Sequence, residues 1–337
     1  MAREWHLVRR PGTHASPDDF TLVDSDPPAP GPEQVVVRNT YLSVDPYMRG
    51  RMDDRPSYIP PFPLDAPLDG AAVGVVVESR AAGLKAGQVV EHFAGLREVA
   101  VLDAAAVSVL DADGIPAPAY LGPLGATGLS AWLGISELAR VREGDTVFVT
   151  GAAGAVGSIA GQLAALRGAG RVIGSAGSAA KVRQLTETFG FDAAFDHRDG
   201  DPREQLAAAA PDGIDVVFDN VGGAQLEAAI GHLRVGARLA LCGMVSQYDG
   251  QPPYGIRTLY ELITRRATAY GFLVTDHLHR MPDFRAELDP LLRTGRVVHH
   301  QSVVDGVERF PEVLLGQLRG GATTTTGKAV IRVEDAL

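Results

Sequence analysis

Asp145-Thr-Val-Phe-Val-Thr-Gly-Ala-Ala-Gly-Ala-Val-Gly-Ser158 is the stretch on which the fold turns: a β-branched run enters a glycine loop that opens directly into an apolar, helix-periodic segment. In the order strand, loop, helix, small residues build a phosphate cradle, because backbone N–H groups at a helix N-terminus point at a bound anion. Gly154 lets the backbone approach a pyrophosphate, and Gly157 lets the helix pack closely on the strand. Ala152 stands where the usual fingerprint has its first glycine, so the motif alone equally describes an ordinary tight turn. The strand–loop–helix context selects the dinucleotide reading.

Around this stretch, from about Gly122, helix-like and strand-like segments alternate, the pattern of a doubly wound parallel sheet. Strands are expected at 146–150, 171–175, 193–196, 215–219, 238–242 and 267–272, with helices starting near Val156, Ala179, Pro202 and Ala224. Six strands suit a complete dinucleotide site. The first third carries short β-like runs, Gln34-Val-Val-Val-Arg38, Gly74-Val-Val-Val-Glu78 and Gln88-Val-Val-Glu91, broken by Pro and Gly clusters at 26–32 and 60–67. It reads as an irregular antiparallel β domain. After Gly295, the valines 297, 298, 303 and 304, then residues 329–333, return to β texture, so the C-terminal segment is expected to complete that first domain. The fold class is α/β, with a cofactor domain at 122–296 inserted into a β domain formed by 1–121 and 297–337. Thr323-Thr-Thr-Thr326 reads as a solvated loop.

With 337 residues, 45% hydrophobic and 21% charged, the chain can bury a core for two domains. No apolar signal core follows Met1 to Trp5 and no uninterrupted apolar run is long enough to cross a bilayer, which makes the cytoplasm the default location. The single cysteine, Cys242, leaves no internal disulfide framework and no cysteine-cluster metal site. A net charge of −10 with scattered arginines gives no footprint for nucleic acid. Basic side chains are almost always arginine, so Lys85, Lys181 and Lys328 stand out.

An NAD site usually places a carboxylate about 20 residues beyond the glycine loop, where it bonds the ribose hydroxyls and repels a 2′-phosphate. The corresponding stretch here is Ser175-Ala-Gly-Ser-Ala-Ala-Lys181, which has no acid. Ser178 and Lys181 at a helix start suit a phosphate dianion, although Lys181 is equally describable as a solvated helix-surface lysine. The pattern favours NADPH over NADH.

Several blocks then occur in order: Leu42-Ser-Val-Asp-Pro-Tyr-Met-Arg-Gly-Arg51, Pro67-Leu-Asp-Gly70, Leu124-Gly-Ala-Thr-Gly-Leu129, Ala152-Ala-Gly-Ala-Val-Gly-Ser158, Asp219-Asn-Val-Gly-Gly223 and Cys242-Gly-Met-Val-Ser-Gln-Tyr248. Across almost the whole chain these resemble the zinc-independent medium-chain reductases that include leukotriene B4 12-hydroxydehydrogenase/prostaglandin reductase and the plant alkenal double-bond reductases. The resemblance implies a GroES-like catalytic domain, an inserted Rossmann domain, a homodimer, and NADPH-dependent reduction of the carbon–carbon double bond of α,β-unsaturated aldehydes and ketones. Zinc-dependent relatives carry a cysteine in the block that is 42–45 here, and Gly-His-Glu where this chain has Pro67-Leu-Asp-Gly70. Neither ligand set is present, so no catalytic zinc is expected.

By the same resemblance, Gly154, Ala155, Val156, Gly157 and Ser158 hold the pyrophosphate, Lys181 the 2′-phosphate, and Asn220 lies beside the cofactor. Cys242, Gly243, Ser246 and Tyr248, with Phe272, Leu273 and Val274, line the ribose and nicotinamide. Two departures from the family occur. His197 stands where a tyrosine often meets the 2′-phosphate, and Thr325 replaces an asparagine in Thr325-Thr-Gly-Lys328.

Hydride addition to an enone leaves negative charge on the carbonyl oxygen, which must be stabilised. Tyr248 is the candidate donor; the alternative is that it only packs over the cofactor. Tyr47 and Met48 either line the enone pocket or belong to a turn fixed by Asp45 and Arg49. Asp219 reads as a loop cap, Cys242 as a small buried residue, and His299-His300 as a strand end. An NADPH:quinone oxidoreductase on the same fold and a non-catalytic NADPH-binding sensor are the competing functions.

Overall fold

The β-branched runs assemble into two sheets and a hairpin in the computed structural model, which describes residues 1–111, 114–319 and 326–333. The hairpin pairs β1 (Ala2–Leu7) with β2 (Phe20–Ser25). The first sheet contains β3 (Gln34–Ser43), β4 (Ala72–Ser79), β5 (Val89–His92), β6 (Val99–Asp103) and β7 (Ser108–Val109). The second contains β8 (Thr146–Val149), β9 (Arg171–Ala176), β10 (Ala193–Asp196), β11 (Ile214–Asp219), β12 (Leu233–Leu241) and β13 (Thr268–Gly271). The last two strands, β14 (Gln301–Asp305) and β15 (Lys328–Arg332), join the first sheet.

The second sheet runs in the order β10-β9-β8-β11-β12-β13 and every pairing is parallel. This is the doubly wound dinucleotide-binding order. Each strand overlaps its expected stretch: β9 runs one residue past it to Ala176, β11 starts one residue early at Ile214, and β12 begins five residues before the expected 238, at Leu233. Helices Gly157–Leu166, Ala179–Glu187, Pro202–Ala209 and Gly223–Gly231 start where expected. Ser178 and Asp201 cap two of them through their side-chain oxygens.

In the first sheet β15 lies antiparallel to β3, so the C-terminal segment does return to the N-terminal strands. That sheet is not wholly antiparallel, because β14 and β15 run side by side in the same direction. The helix Phe310–Arg319 makes the crossover that a parallel pair requires. Val297 and Val298 precede β14 rather than forming it, and His299-His300 leads into it.

One apolar core spans the two sheets, since Val73 and Val330 of the first pack with Val147, Val216 and Ala240 of the second. A second core holds Trp5, Phe20 and Phe310, whose rings meet at centroid separations of 6.4, 6.1 and 5.4 Å. Burying such rings, at about 1.5–3 kcal/mol each, fixes the hairpin against the C-terminal helix.

Candidate active site

The chain reverses its winding direction between β8 and β11, the switch point where sheets of this order leave a ligand crevice beyond the carboxyl ends of their strands. Apart from Thr325, the cofactor residues expected from sequence follow those strand ends. Residues 154–158 follow β8, Ser178 and Lys181 follow β9, His197 follows β10, and Asn220 follows β11. Cys242, Gly243, Ser246 and Tyr248 follow β12, and the half-buried Phe272, Leu273 and Val274 follow β13.

In the glycine loop, the Gly154 N–H donates to the Gly151 carbonyl at 3.0 Å, and the Ala152 N–H to Ser175 on the neighbouring strand at 2.9 Å. Ala155 and Val156 are half-buried and Ser158 is buried. A Cβ on Gly157 would lie 2.5 Å from the Gly151 oxygen and 2.7 Å from the Ala152 Cα, so only glycine lets the helix start this close to the loop. Ala152 is accommodated by the next strand: a Cβ on Gly174 would be 2.8 Å from the Ala152 methyl. The methyl that the fingerprint lacks at its first position is thus balanced by one missing from β9. The Gly327 N–H donates to the Ala153 carbonyl at 2.8 Å, laying the entry to β15 across the loop. Thr325, expected to contact the cofactor, lies outside the described residues.

Beyond β9, Ser178 accepts from the Lys181 N–H at 3.4 Å as helix cap. Burial, and then the positive charge of Arg198, hold the Lys181 ammonium below its usual range. A Cβ on Gly177 would lie 3.1 Å from His197 Cε1 and 3.4 Å from the Arg198 guanidinium carbon, so His197 and Arg198 flank the same corner. His197 Nδ1 meets the Ala176 carbonyl at 2.6 Å. The Nδ1–H therefore donates to that carbonyl, which fixes the orientation of the ring. Arg198 was missed in the sequence reading; its signal was only its place one residue after the position already singled out. Two cations held together beside a helix N-terminus fit a phosphate dianion.

At the other end, the buried Asp219 carboxylate accepts from the Thr150 hydroxyl (2.6 Å) and from the Val221 and Gly222 N–H groups (3.2 and 3.0 Å). This is the loop cap expected. Burial raises the carboxyl, against those donors. The Asn220 amide donates to the Thr150 carbonyl at 2.8 Å, which holds it at the crevice, and the Ser246 hydroxyl donates to Val221 at 2.5 Å. Cys242 packs half-buried on the core, its thiol pushed up to about 12 by burial and then by the Asp219 charge.

Tyr248 is half-buried, and its Oη accepts the Met244 N–H at 3.3 Å. A Cβ on Gly243 would sit 3.1 Å from that oxygen. Burial is the main influence raising the phenol above its usual range. Among the described residues, no acceptor takes the Tyr248 phenolic proton. Tyr58, absent from the sequence reading, feels Tyr248 directly: burial first and Tyr248 second push its phenol up to about 12. Tyr47 presents a buried Oη with no hydrogen-bond partner among the described residues, and burial raises it strongly. Met48 is fully buried in the second core, which fits the structural alternative for that residue. Arg49 and Asp45, read as turn-fixing residues, are both ion-paired, to Asp249 and Lys328 respectively.

Where zinc-dependent relatives carry Gly-His-Glu, Asp69 is paired with the buried Arg51, whose guanidinium lies 4.0 Å over the Phe62 ring. Among the described residues no three His, Cys, Asp or Glu side chains gather as a metal site.

Residues 3–110 match the family described as the N-terminal domain of oxidoreductase, and residues 155–292 the one described as zinc-binding dehydrogenase. The chain is 37% identical to an NADPH-dependent curcumin reductase of Escherichia coli, covering 98% of this chain and 96% of that one. It is 38% identical to a 2-alkenal reductase (NADP(+)-dependent) of Nicotiana tabacum, covering 90% and 88%. Among solved structures, CurA from Vibrio vulnificus in complex with NADPH superposes with a TM-score of 0.93 at 35% identity, covering 99% of each chain. With these relatives, both matched domains and no zinc ligand set at the expected positions, the chain belongs to the zinc-independent branch of the medium-chain dehydrogenase/reductase family.

Proposed function

We propose that the protein reduces the carbon–carbon double bond of α,β-unsaturated aldehydes and ketones. NADPH is the cofactor, and when bound it supplies the hydride. The observation that carries the reading is Tyr248: a half-buried phenol at the carboxyl edge of the sheet whose oxygen is fixed by the Met244 N–H while its proton remains to be given. Residues 154–158 would hold the pyrophosphate, and Ser178, Lys181, His197 and Arg198 the 2′-phosphate. Asn220, Cys242, Gly243, Ser246 and 272–274 would border the ribose and nicotinamide.

As charge grows on the substrate carbonyl oxygen, Tyr248 donates to it and stabilises the enolate. A phenol is protonated at neutral pH, and burial only strengthens that state, so Tyr248 has a proton to donate. Tyr47 and Tyr58 complete a phenol-lined cleft that orients the carbonyl and limits water. In this reading the catalytic domain comprises 1–121 with 297–337 and the NADPH domain 122–296, which the β15–β3 pairing supports. The protein is cytoplasmic and a homodimer. The exposed edge strand β13 and the exposed Leu259, Tyr260 and Ile263 beside it support pairing with a second copy. Among the described residues no helix is long and apolar enough to cross a membrane.

The test mixes purified protein with NADPH or NADH and a 2-alkenal, an enone, the saturated carbonyl and a quinone, with products identified by NMR. The saturated carbonyl formed with NADPH is the expected result. Quinone turnover alone would move the protein to a quinone oxidoreductase, and tight NADPH binding without product would make it a sensor.

A further inference from the structure

Arg49 and Asp249 are buried, 2% and 8% exposed, and stand 200 residues apart in sequence. The Arg49 Nε donates to Asp249 Oδ1 at 2.8 Å, while its Nη1 donates to Asp53 at 2.7 Å. The same Asp249 oxygen accepts the Ala15 N–H at 2.8 Å, and His14 Nδ1 donates to the Asp249 carbonyl at 2.9 Å. Gly250 follows with φ +69°, and a Cβ there would strike the Thr13 carbonyl oxygen at 1.9 Å. The connection after β12 is therefore clasped by two segments from the N-terminal part of the chain, 13–15 and 49–53. Tyr248 is the residue next to the clasp, and Tyr47 lies two residues before Arg49.

From this juxtaposition we infer that Arg49 and Asp249 are positioning residues for the reduction, holding the Tyr248 phenol at the cleft through the short span 248–249. The inference rests on the reading of Tyr248 as the enolate donor. A rigid ion pair suits the task because the backbone it fixes is only one residue from the phenol. Misplacing a donor by about 1 Å costs on the order of a hundredfold in rate. The pair does not touch the glycine loop or the 2′-phosphate corner, so its removal is expected to leave the phosphate contacts of NADPH in place.

The experiment compares wild type, Asp249→Ala, Tyr248→Phe and the double variant, measuring kcat and KM for a 2-alkenal and NADPH affinity by fluorescence titration. Asp249→Ala leaves Arg49 with Asp53 as a partner, so its charge is not stranded. The expected result is a fall in kcat of roughly ten- to a hundredfold, NADPH affinity changed only a few-fold at most, and no further fall when Asp249→Ala is added to Tyr248→Phe. Should Asp249→Ala not fold, Arg49→Lys serves instead: one ammonium cannot reproduce both guanidinium bonds, and the same vanishing effect in the Tyr248→Phe background is expected. A loss from Tyr248→Phe joined by an equal additional loss from either clasp variant overturns this proposal alone. Full activity of Tyr248→Phe overturns the reading of the phenol and the clasp together.

Discussion

The buried Lys328 and the half-buried Asp45 form an ion pair that ties the last strand of the first sheet to the turn leading into Tyr47. The lysine, 2% exposed, also donates to the Val44 carbonyl at 3.3 Å. Its neighbour Gly327 rests on the glycine loop, so one buried charge joins the turn before Tyr47 to that loop. Lys328→Met removes the cation and leaves a half-buried carboxylate that keeps the Ser43 hydroxyl, at an expected cost of about 1–3 kcal/mol in urea denaturation. The Asp45→Asn/Lys328→Met double variant is expected to lose less than the two single losses added together. Simple additivity would show that the pair contributes nothing beyond its packing.

The crowding of Lys181 by Arg198 sets a prediction for cofactor choice. Each charge-assisted hydrogen bond is worth about 1.5–3 kcal/mol, so Lys181→Ala or Arg198→Ala is expected to weaken NADPH binding roughly ten- to a hundredfold. NADH, lacking the phosphate, is expected to bind each variant as it binds the wild type. Parallel titrations with both nucleotides decide it, and equal losses for the two would remove these residues from the phosphate corner.

Tyr248→Phe keeps the ring and deletes the donor. Loss of one preorganised oxyanion donor is expected to lower kcat by about a hundred- to a thousandfold with the alkenal KM little changed. Steady-state rates with a 2-alkenal are the check, and an unaltered kcat/KM would reduce Tyr248 to packing.

His92 sets a pH dependence for stability. Its Nε2 donates to Asn39 at 2.8 Å and its Nδ1 accepts the Ala94 N–H at 3.1 Å, so only the neutral ring fits. Burial, then the Arg97 charge, lower it from 6.5 to about 4. A histidine depressed by folding contributes stability that is complete above 6.5 and is lost as pH falls from there toward 4, for a total of about 3 kcal/mol. Denaturation midpoints over that range are expected to fall less steeply in His92→Gln than in the wild type.

Most of the parallel sheet was legible because its strands are β-branched runs closed by local signals, such as Thr150-Gly after β8 and Asp219-Asn after β11. The β1–β2 hairpin was not, since what secures it is remote: the Trp5 indole donates to the Val307 carbonyl 302 residues away. Met48 carried no mark of its burial, because it sits in a polar turn between Tyr47 and Arg49 and only the fold turns its side chain into the second core. Arg198 and Tyr58 were invisible for a related reason. Each acquires meaning only through a neighbour that the fold delivers, Lys181 for one and Tyr248 for the other.

An unsaturated carbonyl is also a thiol-seeking electrophile, and the one thiol in this protein borders the crevice that would receive it. With Cys242 pushed up to about 12, only on the order of one molecule in a hundred thousand carries a thiolate at neutral pH. Incubation with excess alkenal should therefore leave the intact mass unshifted at Cys242, so that the protein would endure an electrophile that alkylates ordinary exposed thiols.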